Sequence, residues 1–290
     1  LHDFSNYNQY IVDNYNKKTS KKLAEEIGCS KQYVTKIWSK NNLKGKTNRQ
    51  YYANFNYFNK IDTANKAYIL GLIASDGCIY KRENHEGLWQ ITLQLQDKEV
   101  LEEIKKEINA ENPIKYNNNT ATLTIVSQQM YDDLSKLGII PRKTYNMNLQ
   151  ELIVNIPKYF RKDFIHGYFD GDGSITVRDI PSKSKVQFAL PEYFIKPFQK
   201  LLLEYGIKSH WNKDNCFLKY TVPFGNLVIN GASNKYCLLK LFQLEDNISI
   251  KRKTQLSQQL CEQIQSNITN RKENITAVIK WEELLENLRR

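Results

Sequence analysis

Hydrophobic and polar positions follow one order of helical and strand patterns twice between residues 63 and 255. In the first unit, an apolar helical run precedes two strand patterns, a second helix, two more strands and a closing helix. This order predicts an αββαββα unit. The predicted ranges are 64–75, 78–83, 88–96, 97–109, 114–117, 120–127 and 128–137.

The second unit repeats this order, and each unit closes on the same Arg-Lys-Thr triplet, at 142–144 and at 252–254. A repeated order, a period of about a hundred residues and a shared triplet together indicate an internal duplication. The predicted ranges of the second unit are 160–171, 174–179, 184–190, 192–205, 216–222, 226–230 and 232–243.

The segment LWQITLQLQ, residues 88–96, has the clearest strand pattern of the chain. Apolar side chains alternate with uncharged polar ones, so one face would pack on helices and the other would offer hydrogen-bonding groups. The apolar set is Trp89, Ile91, Leu93 and Leu95, and the polar set is Gln90, Thr92, Gln94 and Gln96.

The first 43 residues predict three short helices, of which the second and third resemble a helix-turn-helix. Thr19 or Ser20 would cap the second helix, a Gly28 turn follows, and Ser30 would cap the third. Polar side chains on the third helix are of the kinds that contact bases and phosphates, although a lysine-rich helical hairpin would give the same pattern. They are Lys31, Gln32, Tyr33, Thr35, Lys36 and Lys40.

The segment after these helices, residues 44–62, has no firm periodicity and is expected to be a basic linker that follows DNA, with Lys44, Lys46 and Arg49 as contacts. The formal net charge of the whole chain is +11, and its first 62 residues contain 11 basic against five acidic side chains. A basic excess favours a polyanionic partner, and a lysine-rich surface from an AT-rich genome is the alternative.

The five cysteines are scattered without a C-x-x-C pair, which suits a reducing compartment and predicts neither a zinc site nor a disulfide framework. No segment reads as a signal peptide or as a membrane-spanning run. We therefore expect an intracellular protein, in the cytoplasm or an organelle, that is not secreted and has no membrane partner.

Each of the two most apolar helical runs ends in an acid followed by glycine, at Asp76 and at Asp172. Small residues lie four positions apart in both runs, so the two helices can approach closely and their acids would emerge side by side. These small residues are Gly71 and Ser75 in the first run and Gly167 and Gly171 in the second.

Two carboxylates held together are costly unless cations share their charge, and Mg²⁺ is the natural partner for such oxygen ligands. Paired metals at this point could activate a water and stabilise the leaving oxygen of a phosphodiester. The alternative is that each Asp-Gly pair is only a helix end that turns into a hairpin.

ILGLIASDG (69–77) and IHGYFDGDG (165–173) resemble the two signature helices of the LAGLIDADG homing endonucleases in their single-chain form, and the similarity covers about 60–255. The resemblance implies an α+β fold with two pseudo-symmetric αββαββα subdomains that form a DNA-binding saddle. We divide the chain into a helix-turn-helix domain (1–43), a basic linker (44–62), two LAGLIDADG subdomains (63–150 and 151–255) and a C-terminal helical tail (256–290).

The resemblance also implies that the last acid of each motif, Asp76 and Asp172, binds a catalytic divalent metal, Mg²⁺ or Mn²⁺ in its place. A lysine late in each repeat would position or activate the attacking water. Lys143 and Lys253 match that place, with Lys251 as a rival to Lys253.

The polar strand faces and the hairpin loops at 81–88 and 178–185 would read base edges of a long, asymmetric double-stranded DNA site. The expected contacts are Tyr80, Arg82, Gln90, Thr92, Gln94, Gln96, Arg178, Lys183, Lys185, Gln187 and Lys219.

We therefore expect a monomeric, Mg²⁺-dependent DNA endonuclease that makes a staggered double-strand break. DNA-binding regulators and intron RNA maturases on the same fold are the alternative. Keeping both acids and both lysines favours the nuclease, because a protein that only binds has no need of them.

Overall fold

The computed structural model describes residues 5–15, 17–43, 51–83, 85–213, 222–243 and 248–269. Four residues expected to contact DNA lie outside these ranges, as does the end of the C-terminal tail, residues 270–290. These four are Lys44, Lys46, Arg49 and Lys219.

Three helices begin the chain, in agreement with the sequence pattern: α1 (Ser5–Asp13), α2 (Ser20–Ile27) and α3 (Lys31–Lys40). Thr19 and Ser30 are the capping residues, and each side-chain oxygen accepts a hydrogen bond from the backbone N–H three positions on. Gly28 between α2 and α3 has φ +68°, a conformation that favours glycine. These helices enclose a small core of their own, formed by Ile11, Leu23, Ala24, Val34, Ile37 and Trp38.

The first repeat has the predicted αββαββα order, and its strands form one antiparallel sheet in the order β1-β2-β4-β3. Its polar face includes a direct cross-strand pair, in which the hydroxyls of Thr92 and Thr122 are 3.0 Å apart. Its elements are α4 (Ala64–Ser75), β1 (Gly77–Tyr80), β2 (Leu88–Gln94), α5 (Lys98–Glu107), β3 (Lys115–Tyr116), β4 (Thr120–Val126) and α6 (Gln128–Leu137).

Two short helices, α7 (Lys143–Asn146) and α8 (Leu149–Val154), join the repeats and were not predicted. The second sheet has the matching order β5-β6-β8-β7, so the two repeats are built alike. The remaining elements are α9 (Arg161–Asp172), β5 (Gly173–Thr176), β6 (Lys185–Pro191), α10 (Ile195–Leu203), β7 (Ser209–Lys213), β8 (Phe224–Ile229), α11 (Ala232–Leu241) and α12 (Lys251–Thr269).

Strand β2 ends earlier than its alternating sequence suggested. A 3₁₀ turn, Leu95–Asp97, follows it directly, so Leu95 is exposed rather than inward-facing. Gln96 lies in this turn and donates to the Gln94 side chain at 2.7 Å, and it is therefore not on the polar strand face. The apolar–polar alternation runs on through Leu95 and Gln96, so it did not mark the end of the strand.

The strand predicted at 216–222 is not tested, and β7 was not predicted. Apart from Val222, the range 216–222 lies outside the described residues, and among the described ones Ser209–Lys213 pairs with β8. Trp211 is the only large apolar side chain in β7, so the alternation that marks a half-buried strand is absent there.

The segment 51–62, assigned to the linker, instead packs on the first repeat. Ala53, Tyr57, Phe58 and Ile61 are buried in the main core, and the Phe58 ring lies edge-to-face on Trp89 with centroids 5.7 Å apart. The apolar residues of this segment follow neither helical nor strand periodicity, so no sequence pattern indicated that they are buried.

Helix α12 begins at Lys251, so the predicted boundary between the second repeat and the tail at residue 255 falls inside a helix. The buried face of α12 starts with two polar side chains, Lys253 and Ser257, and becomes apolar only at Leu260 and Ile264. Apolar periodicity therefore did not predict the first turns of α12, because their buried side chains are polar. Among the described residues, no helix has the length and apolar character to cross a membrane.

Helices α4 and α9 pack against each other at the centre of the molecule, with the small residues at their contact. A Cβ added at Gly167 would lie 1.9 Å from the Tyr68 carbonyl oxygen, and one at Gly71 would lie 2.2 Å from that of Phe164. A Cβ at Gly171 would lie 2.0 Å from Ser75 Oγ. Backbone therefore meets backbone across this interface, and its ends are held in a fixed relation.

Candidate active site

Asp76 and Asp172 lie at the carboxyl ends of the paired helices α4 and α9, where each helix gives way to the first strand of its repeat. The glycine that follows each acid makes this turn tight. A Cβ at Gly77 would lie 2.6 Å from Ile73 Cα, and one at Gly173 would lie 2.4 Å from the Phe169 carbonyl oxygen. The close packing of the helices thus brings both carboxylates to the same end of the pair.

The two carboxylates interact electrostatically. The pKa of Asp172 is raised to about 6, mainly by desolvation and then by the charge of Asp76, while Lys143, Lys253 and the Tyr168 hydroxyl oppose the rise. Desolvation also raises the pKa of Asp76, although its side chain is exposed, and the two lysines again oppose the rise. Two nearby acids share their repulsion unequally, and here Asp172 is the one that retains its proton more readily.

Lys143 and Lys253 occupy matching places at the ends of these helices. The Lys143 ammonium donates to the carbonyl oxygens of Ala74, at 2.8 Å, and of Ser75. The Lys253 ammonium donates to those of Phe169, Asp170 and Gly173 at 2.8, 2.7 and 2.6 Å. Both cations therefore satisfy carbonyl groups at the negative end of a helix dipole.

Burial lowers the pKa of both lysines, and nearby carboxylates oppose this change. For Lys143 these are Asp172 and Asp76, and for Lys253 the largest opposing effect is that of Asp170. Lys253 is only 5% exposed. Its rival Lys251 points elsewhere, since its ammonium contacts Glu99 at 2.5 Å on the surface. Geometry therefore brings Lys253, and not Lys251, to the carboxylates.

Asp170, the other acid of the second motif, is buried and not available to a ligand outside the protein. Its Oδ2 accepts hydrogen bonds from the Tyr68 hydroxyl at 2.6 Å and from the Ile250 N–H at 2.7 Å. Desolvation lowers the pKa of the adjacent His166, so that imidazole is neutral near pH 7. The matching position of the first motif is Ala74, so only one repeat has this cross-interface network.

The acid pair fits a hard divalent cation. Mg²⁺ is commonly bound by one or two carboxylates and completes its shell with water and substrate phosphate oxygens. Within the described part of the chain there is no group of three or more histidine, cysteine, aspartate or glutamate side chains that could enclose a metal. Asp76 and Asp172 thus suit a metal that is shared with a substrate, and not a closed structural site.

The side chains expected to read DNA lie mainly on the polar faces and hairpins of the two sheets. Gln90 and Thr92 are half-buried on β2, where the Thr124 hydroxyl contacts Gln90 at 3.4 Å. Tyr80 and Arg82 are exposed and lie together, with the guanidinium 5.8 Å from the ring centroid. In the second repeat Arg178, Lys183 and Lys185 are exposed and Gln187 is half-buried.

The same polar faces contain residues that sequence reasoning missed. The alternation in TATLTIV, residues 120–126, could have identified Thr122 and Thr124. His210 and Asn212 of β7 had no such signal, because the strand itself was not recognised.

The raised pKa of Asp172 predicts that Asp172→Asn stabilises the metal-free protein. A carboxyl whose folded pKa exceeds its unfolded value stabilises the fold below pH ~4, and this contribution is lost as pH rises through ~6. At pH 7.5 in EDTA we expect the variant to gain on the order of 1 kcal/mol in unfolding free energy, allowing for solvent screening. Thermal unfolding with the exposed Asp179→Asn as control measures this, and an unchanged or lower midpoint contradicts it.

Comparison with sequence models of protein families matches residues 63–136 and 160–267 to the LAGLIDADG-like domain. The probable translation initiation factor IF-2 of Methanocaldococcus jannaschii is 28% identical over 144 residues, 49% of this chain and 12% of that protein. The DNA polymerase II large subunit of Thermococcus kodakarensis is 21% identical over 150 residues, 51% of this chain and 8% of that protein. The chain thus spans about a tenth of the length of these curated relatives.

Among solved structures, a lysine-to-alanine mutant of I-SmaMI has a TM-score of 0.50 at 15% identity, covering 77% of this chain and 97% of that one. That similarity concerns the fold: two αββαββα repeats joined through a central pair of helices. Since the family match includes both acid-tipped helices and more than half of the residues, the chain belongs to the LAGLIDADG-like family and has the LAGLIDADG homing endonuclease fold.

Proposed function

We propose that this protein is a metal-dependent endonuclease that makes a staggered double-strand break in a long, asymmetric DNA site. The observation that supports this most strongly is the pair of carboxylates at one end of α4 and α9, each beside a lysine held on helix carbonyls. A structural turn needs neither the raised pKa of Asp172 nor a buried lysine beside each acid. A phosphodiesterase site needs both negative metal ligands and positive charge near the scissile phosphate.

In this proposal Asp76 and Asp172 would hold divalent metal, Mg²⁺ with Mn²⁺ able to replace it, and the metal would stabilise charge on the phosphate and activate the attacking water. The Lys143 and Lys253 ammonium groups put fixed positive charge beside the carboxylates, where they would orient water and balance charge on the phosphate. Two equivalent half-sites on a pseudo-two-fold axis account for one cut in each strand by a single chain.

Double-stranded DNA would lie along the polar faces of the two sheets. Uncharged amides and hydroxyls such as Gln90, Thr92 and Gln187 suit base edges, whereas exposed cations such as Arg178 and Lys185 suit phosphates. This chain matches a small part of each of two differently named proteins, which supports a self-contained module inserted into larger hosts, as in an intron or an intein.

The N-terminal helices would add a second DNA contact outside the cleavage site. The outer face of α3 is basic: Lys31, Lys36 and Lys40 are exposed with Gln32, whereas Thr35 is half-buried and the half-buried Tyr33 donates to Asn8 at 2.8 Å. A short capped helix with such a face suits the major groove and adjoining phosphates.

Replacing Lys31, Lys36 and Lys40 together by alanine should weaken DNA binding without moving the cut. Each lost phosphate contact lowers the slope of log affinity against log salt by about 0.9, so the slope should fall by up to ~3. Fluorescence anisotropy at several salt concentrations measures this slope. The matched control is Lys200→Ala on the outer face of α10, and equal slopes for the two variants would contradict a role for α3.

The proposed activity is tested by incubating the protein with Mg²⁺ and a large library of random or genomic DNA, then sequencing all new ends. We expect defined, staggered ends at one long site that vanish in EDTA. Tight binding of a defined site without any cut in Mg²⁺ or Mn²⁺ would contradict the nuclease and leave the regulator or maturase.

A further inference from the structure

Both lysine-bearing turns contact the opposite repeat. Lys143 begins α7, in the part of the chain that closes the first repeat, and Tyr193 belongs to the second repeat. The Tyr193 hydroxyl donates to the carbonyl oxygens of Thr144, at 2.6 Å, and of Lys143, at 3.1 Å. The backbone that presents the Lys143 side chain is therefore fixed from across the molecule.

The turn around Lys253 has the reciprocal contact. Arg252 donates from Nε and Nη2 to the carboxylate of Asp97, in the first repeat, at 2.9 Å to each oxygen. Asp97 is 6% exposed, so this fork is largely shielded from solvent on the acid side. A neighbouring ion pair, Lys251 with Glu99, also joins the repeats, but both of its side chains are more than half exposed.

The two contacts use equivalent positions of the duplicated fold. Asp97 ends the 3₁₀ turn Leu95–Asp97 that follows β2, and Tyr193 lies in the 3₁₀ turn Glu192–Phe194 that follows β6. Equivalent turns thus make equivalent contacts with different chemistry: an arginine–carboxylate pair that is buried only on the acid side in one case, and a single exposed phenol in the other.

We propose that these crossed contacts are positioning devices, in which Asp97 through Arg252 fixes Lys253, and Tyr193 fixes Lys143, so that each repeat sets the lysine of the other. The consequence for cleavage rests on the proposed function. A bidentate guanidinium–carboxylate pair fixes both distance and orientation, and its loss leaves the buried Asp97 unpaired. A shift of about 1 Å in a catalytic group can cost about a hundredfold in rate.

The first test does not require catalysis: the reactivity of each lysine is measured by reductive methylation with formaldehyde and cyanoborohydride, with mass spectrometry of the peptides. Asp97→Asn and Arg252→Gln should each raise labelling of Lys253 at least threefold and leave Lys143 unchanged. Tyr193→Phe should raise labelling of Lys143 at least threefold and leave Lys253 unchanged. The controls are Glu99→Gln, which breaks only the exposed pair, and Tyr116→Phe, whose hydroxyl contacts Glu102 within one repeat.

The two fork variants separate positioning from simple electrostatics. The charge of Asp97 raises the pKa of Lys253 and that of Arg252 lowers it, so charge alone would change the reactivity of Lys253 in opposite directions. If the pair instead fixes the turn that contains Lys253, losing either partner makes labelling of Lys253 faster in both variants. Opposite changes in the two variants, equal changes at both lysines, or no change would overturn the proposal.

The second test follows cleavage of each DNA strand separately under single-turnover conditions, with Lys253→Met and Lys143→Met defining the strand that each lysine serves. Asp97→Asn and Arg252→Gln should slow the Lys253 strand by about tenfold or more, and Tyr193→Phe should slow the other, which leaves nicked intermediates. Equal slowing of both strands overturns the positioning role. If the wild type cuts nothing while the labelling pattern holds, the proposed function fails and the crossed contacts stand.

Discussion

Asp76→Asn and Asp172→Asn should each abolish double-strand cleavage while leaving the fold intact. Asparagine keeps the shape of the side chain but removes the negative charge that would hold the metal, and metal-supplied stabilisation accounts for several kcal/mol of barrier lowering. We expect the rate to fall by about a thousandfold or more for each variant. The measurement is single-turnover cleavage of the selected site in Mg²⁺.

DNA affinity of the same variants provides the internal check. Removing a carboxylate from a surface that faces phosphates should leave binding unchanged or make it tighter, particularly at low salt. Glu151→Gln, at an exposed acid of α8 outside the proposed DNA-binding surface, is the control that should still cut. Cleavage by either motif variant at more than a tenth of the wild-type rate would contradict a metal role for that acid.

Gly167→Ala should destabilise the protein by about 3 kcal/mol or more. The new Cβ would meet the backbone of α4, lying 1.9 Å from the Tyr68 carbonyl oxygen and 3.0 Å from the Leu72 nitrogen, and neither atom belongs to a flexible side chain. Overpacking usually costs about 1–3 kcal/mol, and a backbone-to-backbone clash at the central interface belongs at the upper end.

The sign of this effect is diagnostic, because replacing glycine by alanine in a helix interior normally stabilises the helix by about 1 kcal/mol. Urea unfolding of Gly167→Ala measures the effect, with Lys106→Ala on the exposed face of α5 as control. A variant as stable as the wild type would show that α4 and α9 are not in close backbone contact.

Local patterns sufficed for the parts of the fold in which sequence neighbours are also neighbours in space. The caps Thr19 and Ser30 and the helix order of each repeat follow from residues a few positions apart. The small residues Gly71 and Gly167 indicated which faces of the motif helices could meet, because few other residues permit such an approach.

Contacts between distant residues could not be predicted from the sequence. Nothing local pairs Tyr68 with Asp170 or Arg252 with Asp97, since each pair joins different repeats. Spacing likewise left Lys251 and Lys253 as rivals, and the choice depends on the phase of α12, whose buried face includes Lys253 and Ser257. A polar residue on a buried helix face is recognised only when its partners are known.

In the proposed mechanism Asp76 and Asp172 together would hold the metal at a DNA phosphate, and anomalous diffraction from Mn²⁺ in crystals with the selected DNA can detect this. We expect anomalous peaks in contact with both carboxylates and with a phosphate oxygen of the DNA. These peaks should be lost for the substituted acid in Asp76→Asn and in Asp172→Asn. Peaks elsewhere on the protein, with none at these carboxylates in a crystal whose DNA becomes cut, would show that Asp76 and Asp172 do not hold the catalytic metal.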